Sequence, residues 1–382
     1  MKIIHAGFFD VVMIMINDIA TKWGLLLVLL VGCVAADGKL QPDVSSPQAP
    51  QVVKNMPVHE VVQSVPPVTR DKARNVILMI GDGMGAEQVW CAWMCNHGKL
   101  NLERLPVIGF SRTRSASSVI TDSAAGGTAI ACGAKTNNGW LGVSPDGKEH
   151  VSVMRCLEKA GKQTGIVVTK AVTDATPASF YAHSTDRYKV ADIAADLVDS
   201  GCRVVIGGGT ALVSPKQIAE LRDKGALVRL EGEKDCPPAS RRGNFLERSV
   251  SEALSTLEKH PDGFFLMIEG SQIDTAAHAR DLNEMVQETL DFDRAVGVVL
   301  RWMQSHPDTL LVITADHQTG GLSLLGGSVE KGEVSGNFAT HRHSGVAVPV
   351  YAAGAGAAAF GGMQENTELK NKILRACGFP NE

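Results

Sequence analysis

The chain is short of aromatic residues, which make up 5% of its 382 positions, and it has no surplus of positive charge, since 37 Lys and Arg face 41 Asp and Glu. A formal net charge of −4 without a basic block removes the electrostatic footprint of a specific nucleic-acid partner. Among eight cysteines no Cys-x-x-Cys pair occurs, so neither a zinc-ribbon nor a thioredoxin-type motif is present. No period of 20 to 50 residues repeats, which argues against a solenoid or propeller. The strongly apolar, charge-free run after Lys22, Trp23–Gly32 (WGLLLVLLVG), is only ten residues long. A bilayer-spanning helix takes ~20.

That run does fit the hydrophobic region of an export signal. Its tail, Leu30-Val31-Gly32-Cys33, is similar to the lipobox of bacterial lipoproteins, which makes residues 1–33 a lipoprotein-type signal with Cys33 as lipid anchor. Cleavage near Ala35 or Ala36 is the plain secretory alternative. Either way the mature chain is expected outside the cytoplasm, periplasmic or membrane-anchored. Asp10 and Asp18 are out of place in a basic leader, and a start at Met15 would remove most of that oddity. The seven cysteines beyond Cys33 are read mostly as buried thiols.

Residues 34–74 form a proline-rich linker: six of the 16 prolines lie between Asp37 and Ala73, with only short apolar runs among them. From 75 to 382 short aliphatic runs alternate with longer amphipathic stretches, the pattern of an α/β fold with a central, mostly parallel sheet sandwiched by helices. Strands are predicted at Asn75–Ile80, Val107–Ser111, Gly165–Thr169, Arg203–Ile206, Gly263–Ile268, Thr309–Thr314 and Gly345–Tyr351, each nearly unbroken, as when both sheet faces are covered. Helices are predicted at Asp186–Ser200, Ser249–Lys259 and Asn283–Gln304, the last with a stripe of Phe292, Val296, Val299, Leu300 and Met303.

Ligands of an open parallel sheet sit beyond the carboxyl ends of its strands, so the residues that end each apolar run are the informative ones. NVILMIGDGMG ends at Asp82, FFLMIEGSQID at Glu269 and Asp274, and LLVITADH at Asp316 and His317. Carboxylates gathered on one sheet edge repel unless cations compensate them. Any one of them alone could be a helix cap. Together with His278 and His343 they make a donor set suited to zinc and magnesium. Asp274 and His278, four apart, share one face of a helical turn. Ser123, in TDSAAGGTAIACG, stands where a helix amino terminus offers an oxyanion seat, although capping by Thr121, Asp122 or Ser123 explains the same pattern. No Gly-x-Ser-x-Gly elbow is present, so a metal rather than a histidine base would activate such a serine.

Taken in order, IGDGMG, TDSAAGGTA, DATPASFYAHSTDR, MIEGSQIDTAAH, TADHQTGG and HSG resemble the blocks of alkaline phosphatases, from about Asn75 to about Ala353. The resemblance implies phosphate-monoester hydrolysis through a phosphoserine on Ser123, with two zinc ions and one magnesium ion. One zinc would be held by Asp82, Asp316 and His317, the other by Asp274, His278 and His343, and the magnesium by Asp82, Thr176 and Glu269. Asp174 would bind a magnesium water, and Arg187 would clamp two phosphate oxygens, a bidentate task for guanidinium. His343 is preferred to His341 because the family's histidine is followed by a small hydroxyl residue and Gly, here Ser344 and Gly345; His183 is read as structural.

Three departures stand out. Thr275 occupies a place where many relatives carry Lys, His or Trp, and the 82 positions from Arg187 to Glu269 and 26 from His317 to His343 leave no room for the large insertions of longer relatives. A compact form without a crown domain is expected, its oligomeric state open. Two rivals remain. A sulfatase or diesterase would need a Cys-x-Pro-x-Arg context or a threonine nucleophile, neither of which TDSAAGG supplies. A catalytically silent, metal-dependent phosphate-binding lipoprotein would lose the nucleophile or the clamp, yet Ser123 and Arg187 are both here.

Overall fold

The computed structural model describes residues 48–379. The predicted signal, Cys33 and residues 34–47 of the predicted linker lie outside them. Nine strands form the central sheet, from edge to edge Gly362–Glu365, Val107–Arg112, Val348–Gly354, Thr309–Thr314, Asn75–Gly81, Phe264–Gly270, Gln163–Ala171, Val204–Gly208 and Leu227–Leu230. All pair in parallel except Val348–Gly354, which runs antiparallel to both its neighbours. Its direction follows from chain path. Thr309–Thr314 ends at the carboxyl edge, and Gln318–Thr319 pairs there with His343–Ser344, so the next strand starts from that edge and has to run back. The mostly parallel sheet sandwiched by helices is therefore present, with one reversed strand.

Apolar continuity in the strands has a physical cause. Ile77 and Met79 face one core, with Leu290, Val296 and Val299 of the helix Leu282–Met303. Val76, Leu78 and Ile80 face the other, with Ile130, Met154 and Leu157. In Asn75–Gly81, Phe264–Gly270 and Thr309–Thr314 every residue is buried whichever way it points. The predicted strand at Val107–Ser111 departs from that reading: it lies one place from the sheet edge and exposes Ile108 and Phe110 on one face. All five members of the predicted stripe, Phe292, Val296, Val299, Leu300 and Met303, are buried, and Asp281 caps the helix by accepting a hydrogen bond from the Glu284 N–H. Burial pushes the thiols of Cys95, Cys132 and Cys236 up to about 12, and no disulfide joins the described cysteines.

The proline-rich segment from residue 48 onward is not a free tether, which corrects the linker reading for that part. Gln51–Val53 adds a strand to Glu333–Phe338, Val53, Met56 and Val62 are buried in the first core, and Asn101 Oδ1 accepts from the Val62 N–H at 2.9 Å. A segment too poor in apolar residues to build a core of its own still has enough to cover part of another.

Candidate metal centre and nucleophile

Three neighbouring strands at the middle of the sheet deliver polar residues from their carboxyl ends to the same place. Asp82 follows Asn75–Gly81, Glu269 lies beside Ile80 in the neighbouring strand, and Asp316 and His317 follow Thr309–Thr314. Asp274 and His278 lie on the short helix Gln272–His278. His343 opens the ribbon strand paired to Gln318–Thr319.

The helix Ser123–Cys132 points its amino terminus at this cluster. Asp122 is the cap, accepting from the Ala125 N–H at 3.0 Å, so capping is done by the neighbour and the Ser123 hydroxyl is left to face inward. Ser123 Oγ lies 3.2 Å from His317 Nε2. This approach depends on glycine: a Cβ on Gly126 would sit 3.0 Å from the Asp316 carbonyl oxygen, and one on Gly127 would sit 2.8 Å from Ser179 Oγ. Gly126→Ala is accordingly expected to push the helix outward, at a cost of about 1–3 kcal/mol in stability and about tenfold or more in turnover. A thermal melt and a steady-state assay check this, and a variant indistinguishable from wild type in both would remove the close-approach argument.

Two clusters of ligand-type atoms result. In the first, one atom from each of Asp82, Asp316 and His317 lies within 4.8 Å of the others, with His317 Nε2 3.2 Å from Asp316 Oδ2 and 3.6 Å from Asp82 Oδ1. In the second, Asp274 Oδ1 lies 3.1 Å from His278 Nε2 and 3.5 Å from His343 Nε2, and the two imidazole nitrogens are 3.1 Å apart. The His317 and His343 rings stack with centroids 3.5 Å apart, and His317 also offers a ligand atom within 4.8 Å of Asp274 and His343, so it is shared by both clusters. The backbone fixes the imidazoles from behind: His343 Nδ1 is 2.8 Å from the Thr121 carbonyl, and His278 Nδ1 meets the His341 carbonyl. His341 itself turns its ring to the His278 carbonyl and stays out of the cluster. His183 binds the His150 carbonyl, away from the centre.

The electrostatics are those of a cage made for cations. Both carboxylate oxygens of Asp82 and of Glu269, Asp316 Oδ2 and the Thr176 hydroxyl are buried without a hydrogen-bond partner. Unpaired buried carboxylates cost several kcal/mol in roughly this setting, and divalent cations relieve that cost with the ligand types each prefers. Burial, followed by Asp274 and Asp316, pushes Asp82 well above the carboxylate range. Burial raises Glu269 to about 8 and Asp316 to about 6. Burial would raise Asp274 too, but Lys170 and the imidazoles of His278 and His343 outweigh it and hold it low. His317 is held well below its ordinary value by burial and by His343, which leaves its ring neutral and its lone pair available.

At the rim Arg187 is oriented by two carboxylates, Nη1 donating to Asp122 Oδ2 at 3.2 Å and Nη2 to Asp174 Oδ1 at 3.4 Å. Sequence reasoning overlooked two members of the centre. Thr319 donates to Asp274 Oδ1 at 2.6 Å and lies 3.2 Å from His317 Nδ1, and Lys170 enters the carboxylate group from the strand Gln163–Ala171. Thr319 stood inside the TADHQTGG block. Lys170 stood at the polar end of an apolar run, the position that marked Asp82, Glu269 and Asp316.

An open α/β sheet whose carboxyl edge carries two adjoining carboxylate–imidazole clusters beside a serine at a helix amino terminus is the frame of a metal-dependent centre. The sequence model of the alkaline phosphatase family matches residues 73–235 and 221–337. Alkaline phosphatase 4 of Bacillus subtilis is 34% identical over 67% of this chain and 64% of its own length. The alkaline phosphatase of the Antarctic bacterium TAB5 superposes with a TM-score of 0.76 at 33% identity, covering 82% of this chain and all of that one. A variant of the TAB5 enzyme, equally similar, carries Mg bound in its M3 site. The chain belongs to the alkaline phosphatase family. It spans between 56% and 73% of the length of the curated relatives it matches.

Proposed function

We propose that this chain hydrolyses small phosphate monoesters at alkaline pH through a phosphoserine formed on Ser123. The observation that carries the reading is the set of unpartnered buried oxygens on Asp82, Glu269, Asp316 and Thr176 around a serine that is itself spared from capping. Asp82, Asp316 and His317 would hold one zinc ion, Asp274, His278 and His343 a second, and Asp82, Thr176 and Glu269 a magnesium ion. When bound, these cations supply positive charge at the attacking and leaving oxygens of an in-line displacement.

The chain's own residues do the rest. Arg187, already aimed by Asp122 and Asp174, binds two nonbridging oxygens of the ester and turns its phosphorus toward Ser123. Ser123 Oγ gives up its proton to solvent, its bond to phosphorus forms as the bond from phosphorus to the alcohol oxygen breaks, and that oxygen takes a proton from water and leaves as the alcohol. Water then forms the new bond to phosphorus, Oγ is released, and inorganic phosphate departs. The amino terminus of Ser123–Cys132 favours the negative charge throughout. With Nε2 of the neutral His317 ring committed to a cation its lone pair would not be free for the Ser123 proton, so the proposal assigns no histidine base.

Acid-quenched enzyme mixed with labelled phosphate or with p-nitrophenyl phosphate is expected to yield label on the peptide containing Ser123. Label on another residue, or a wild-type chain that binds phosphate and never turns over, would overturn the proposal; the second result is the silent phosphate-binding alternative. Arg187→Lys is expected to lose about 10²-fold in kcat/KM, because an ammonium replaces a two-pronged donor. Kinetics with competitive inhibition by inorganic phosphate check this, and equal affinity in both proteins would take the clamp role away from Arg187.

A further inference from the structure

The centre contains a charge that the mechanism does not use. Lys170, its side chain 14% exposed, places Nζ 3.2 Å from Asp274 Oδ2, 3.9 Å from Asp82 Oδ2 and 4.0 Å from Asp174 Oδ2. The two ligand carboxylates are thereby divided in the same sense. Oδ1 of Asp274 faces His278, His343 and the Thr319 hydroxyl, and Oδ1 of Asp82 faces His317, while Oδ2 of each faces the ammonium. Asp82 Oδ2 is also the oxygen left over for the all-oxygen position that Glu269 and Thr176 would complete. A fixed positive charge there shares a ligand with a divalent cation and repels it in a water-poor setting, where such effects are large.

We propose that Lys170 is a resident cation of the cage: a positioning residue that aims Oδ1 of Asp274 and Asp82 at the imidazoles and keeps the third, magnesium-type position at low affinity. The inference rests on the metal-dependent reading above. It accounts for why a lysine stands among four acidic side chains, Asp82, Asp174, Glu269 and Asp274. Asp174 further ties Lys170 to Arg187, so the same charge is coupled to the phosphate clamp.

The test uses the zinc-loaded full chain and magnesium ion alone as the probe, with affinity read by titration calorimetry. Lys170→Met is expected to bind magnesium about tenfold or more tighter than wild type, and its metal-free form is expected to melt at a lower temperature, because one compensating charge is gone. Lys170→Arg, which keeps the charge, is expected to retain the weak affinity. Magnesium affinity in Lys170→Met no greater than in wild type would overturn the proposal, as would Arg and Met variants that behave alike. Should Lys170→Met not fold, Lys170→Gln takes its place. The wild type is decisive by itself too: stoichiometric magnesium retained through gel filtration in magnesium-free buffer would refute low affinity. Failure of the underlying reading looks different, since neither wild type nor variant would then retain zinc.

Discussion

Exhaustive treatment with EDTA is expected to abolish turnover and to lower the thermal midpoint by about 7 °C, and the lowering is expected to be larger at pH 9 than at pH 5. Cations that bind only the folded chain stabilise it by about 2.7 kcal/mol per site at a hundredfold excess over the dissociation constant. Two such sites amount to about 5 kcal/mol, and each kcal/mol moves the midpoint of a domain of this size by about 1.5 °C. The pH dependence follows from the raised carboxyls. Glu269, pushed up to about 8, and Asp316, pushed up to about 6, have folded values above their unfolded ones. A group shifted in that direction favours the folded chain while protonated, and the contribution disappears as pH rises through about 6 and then about 8. Asp274 is shifted the other way, so its contribution, present above its unfolded value, is constant across that window. His317, held low, adds stability as pH rises through the ordinary imidazole range and offsets part of this loss, but the raised Glu269, Asp316 and Asp82 outweigh it, so the metal-free protein should lose stability from pH 5 to 9. The loaded protein should not, because the cations take over the compensation that protons supply at low pH. Calorimetric melts of both forms across that range check it. A metal-free form that gains stability toward alkaline pH would show that the carboxylates are not the uncompensated group.

The same carboxylates explain how much could be read from the sequence. Both faces of the sheet are covered at its middle strands, so these are unbroken apolar runs and the first polar residue after each stands out. Asp82, Glu269, Asp316 and His317 were legible for that reason, and the structure brings them to one edge. The choice between His343 and His341 was legible from the small residues that follow His343. Capping and nucleophile readings of the Ser123 segment could not be separated in sequence, because Asp122 and Ser123 are adjacent and either residue type can cap. Coordinates separate them: Asp122 Oδ1 takes the Ala125 N–H, and Ser123 Oγ meets His317.

What escaped has a common physical origin in partners distant along the chain. Leu227–Leu230 and Gly362–Glu365 are edge strands, short and half-exposed, so the covered-sheet pattern does not mark them. Gln51–Val53 is three residues long and exists only because Glu333–Phe338 offers an open edge. Lys170 looks like the solvated end of a strand until Asp82 and Asp274 are placed around it. A lysine's role in such a position is defined by charges that no local pattern carries.

Ser123→Ala is expected to lower kcat for p-nitrophenyl phosphate by about 10⁴-fold or more, with zinc content and phosphate binding retained. Ser123 is 3% exposed and its hydroxyl faces the Asp82, Asp316 and His317 cluster across 3.2 Å to His317 Nε2, and the neighbouring hydroxyls are placed elsewhere. Thr121 turns its hydroxyl to the Asp122 carbonyl, and Thr176 is buried in the magnesium-type position. Removing Oγ leaves Arg187, the helix amino terminus and the cations intact. Those parts still favour the charge of a displacement by water, which is why a residual rate above the uncatalysed one is expected rather than none. Alanine is a good helix former, and the cap belongs to Asp122, so stability should change by no more than about 1 kcal/mol. A melt, a zinc analysis and a phosphate titration on the variant establish that the site survives, and the acid-quench label should vanish. Turnover kept within tenfold of wild type, with the site shown to be intact, would mean that phosphate passes directly to water and that the serine is only the first residue of its helix.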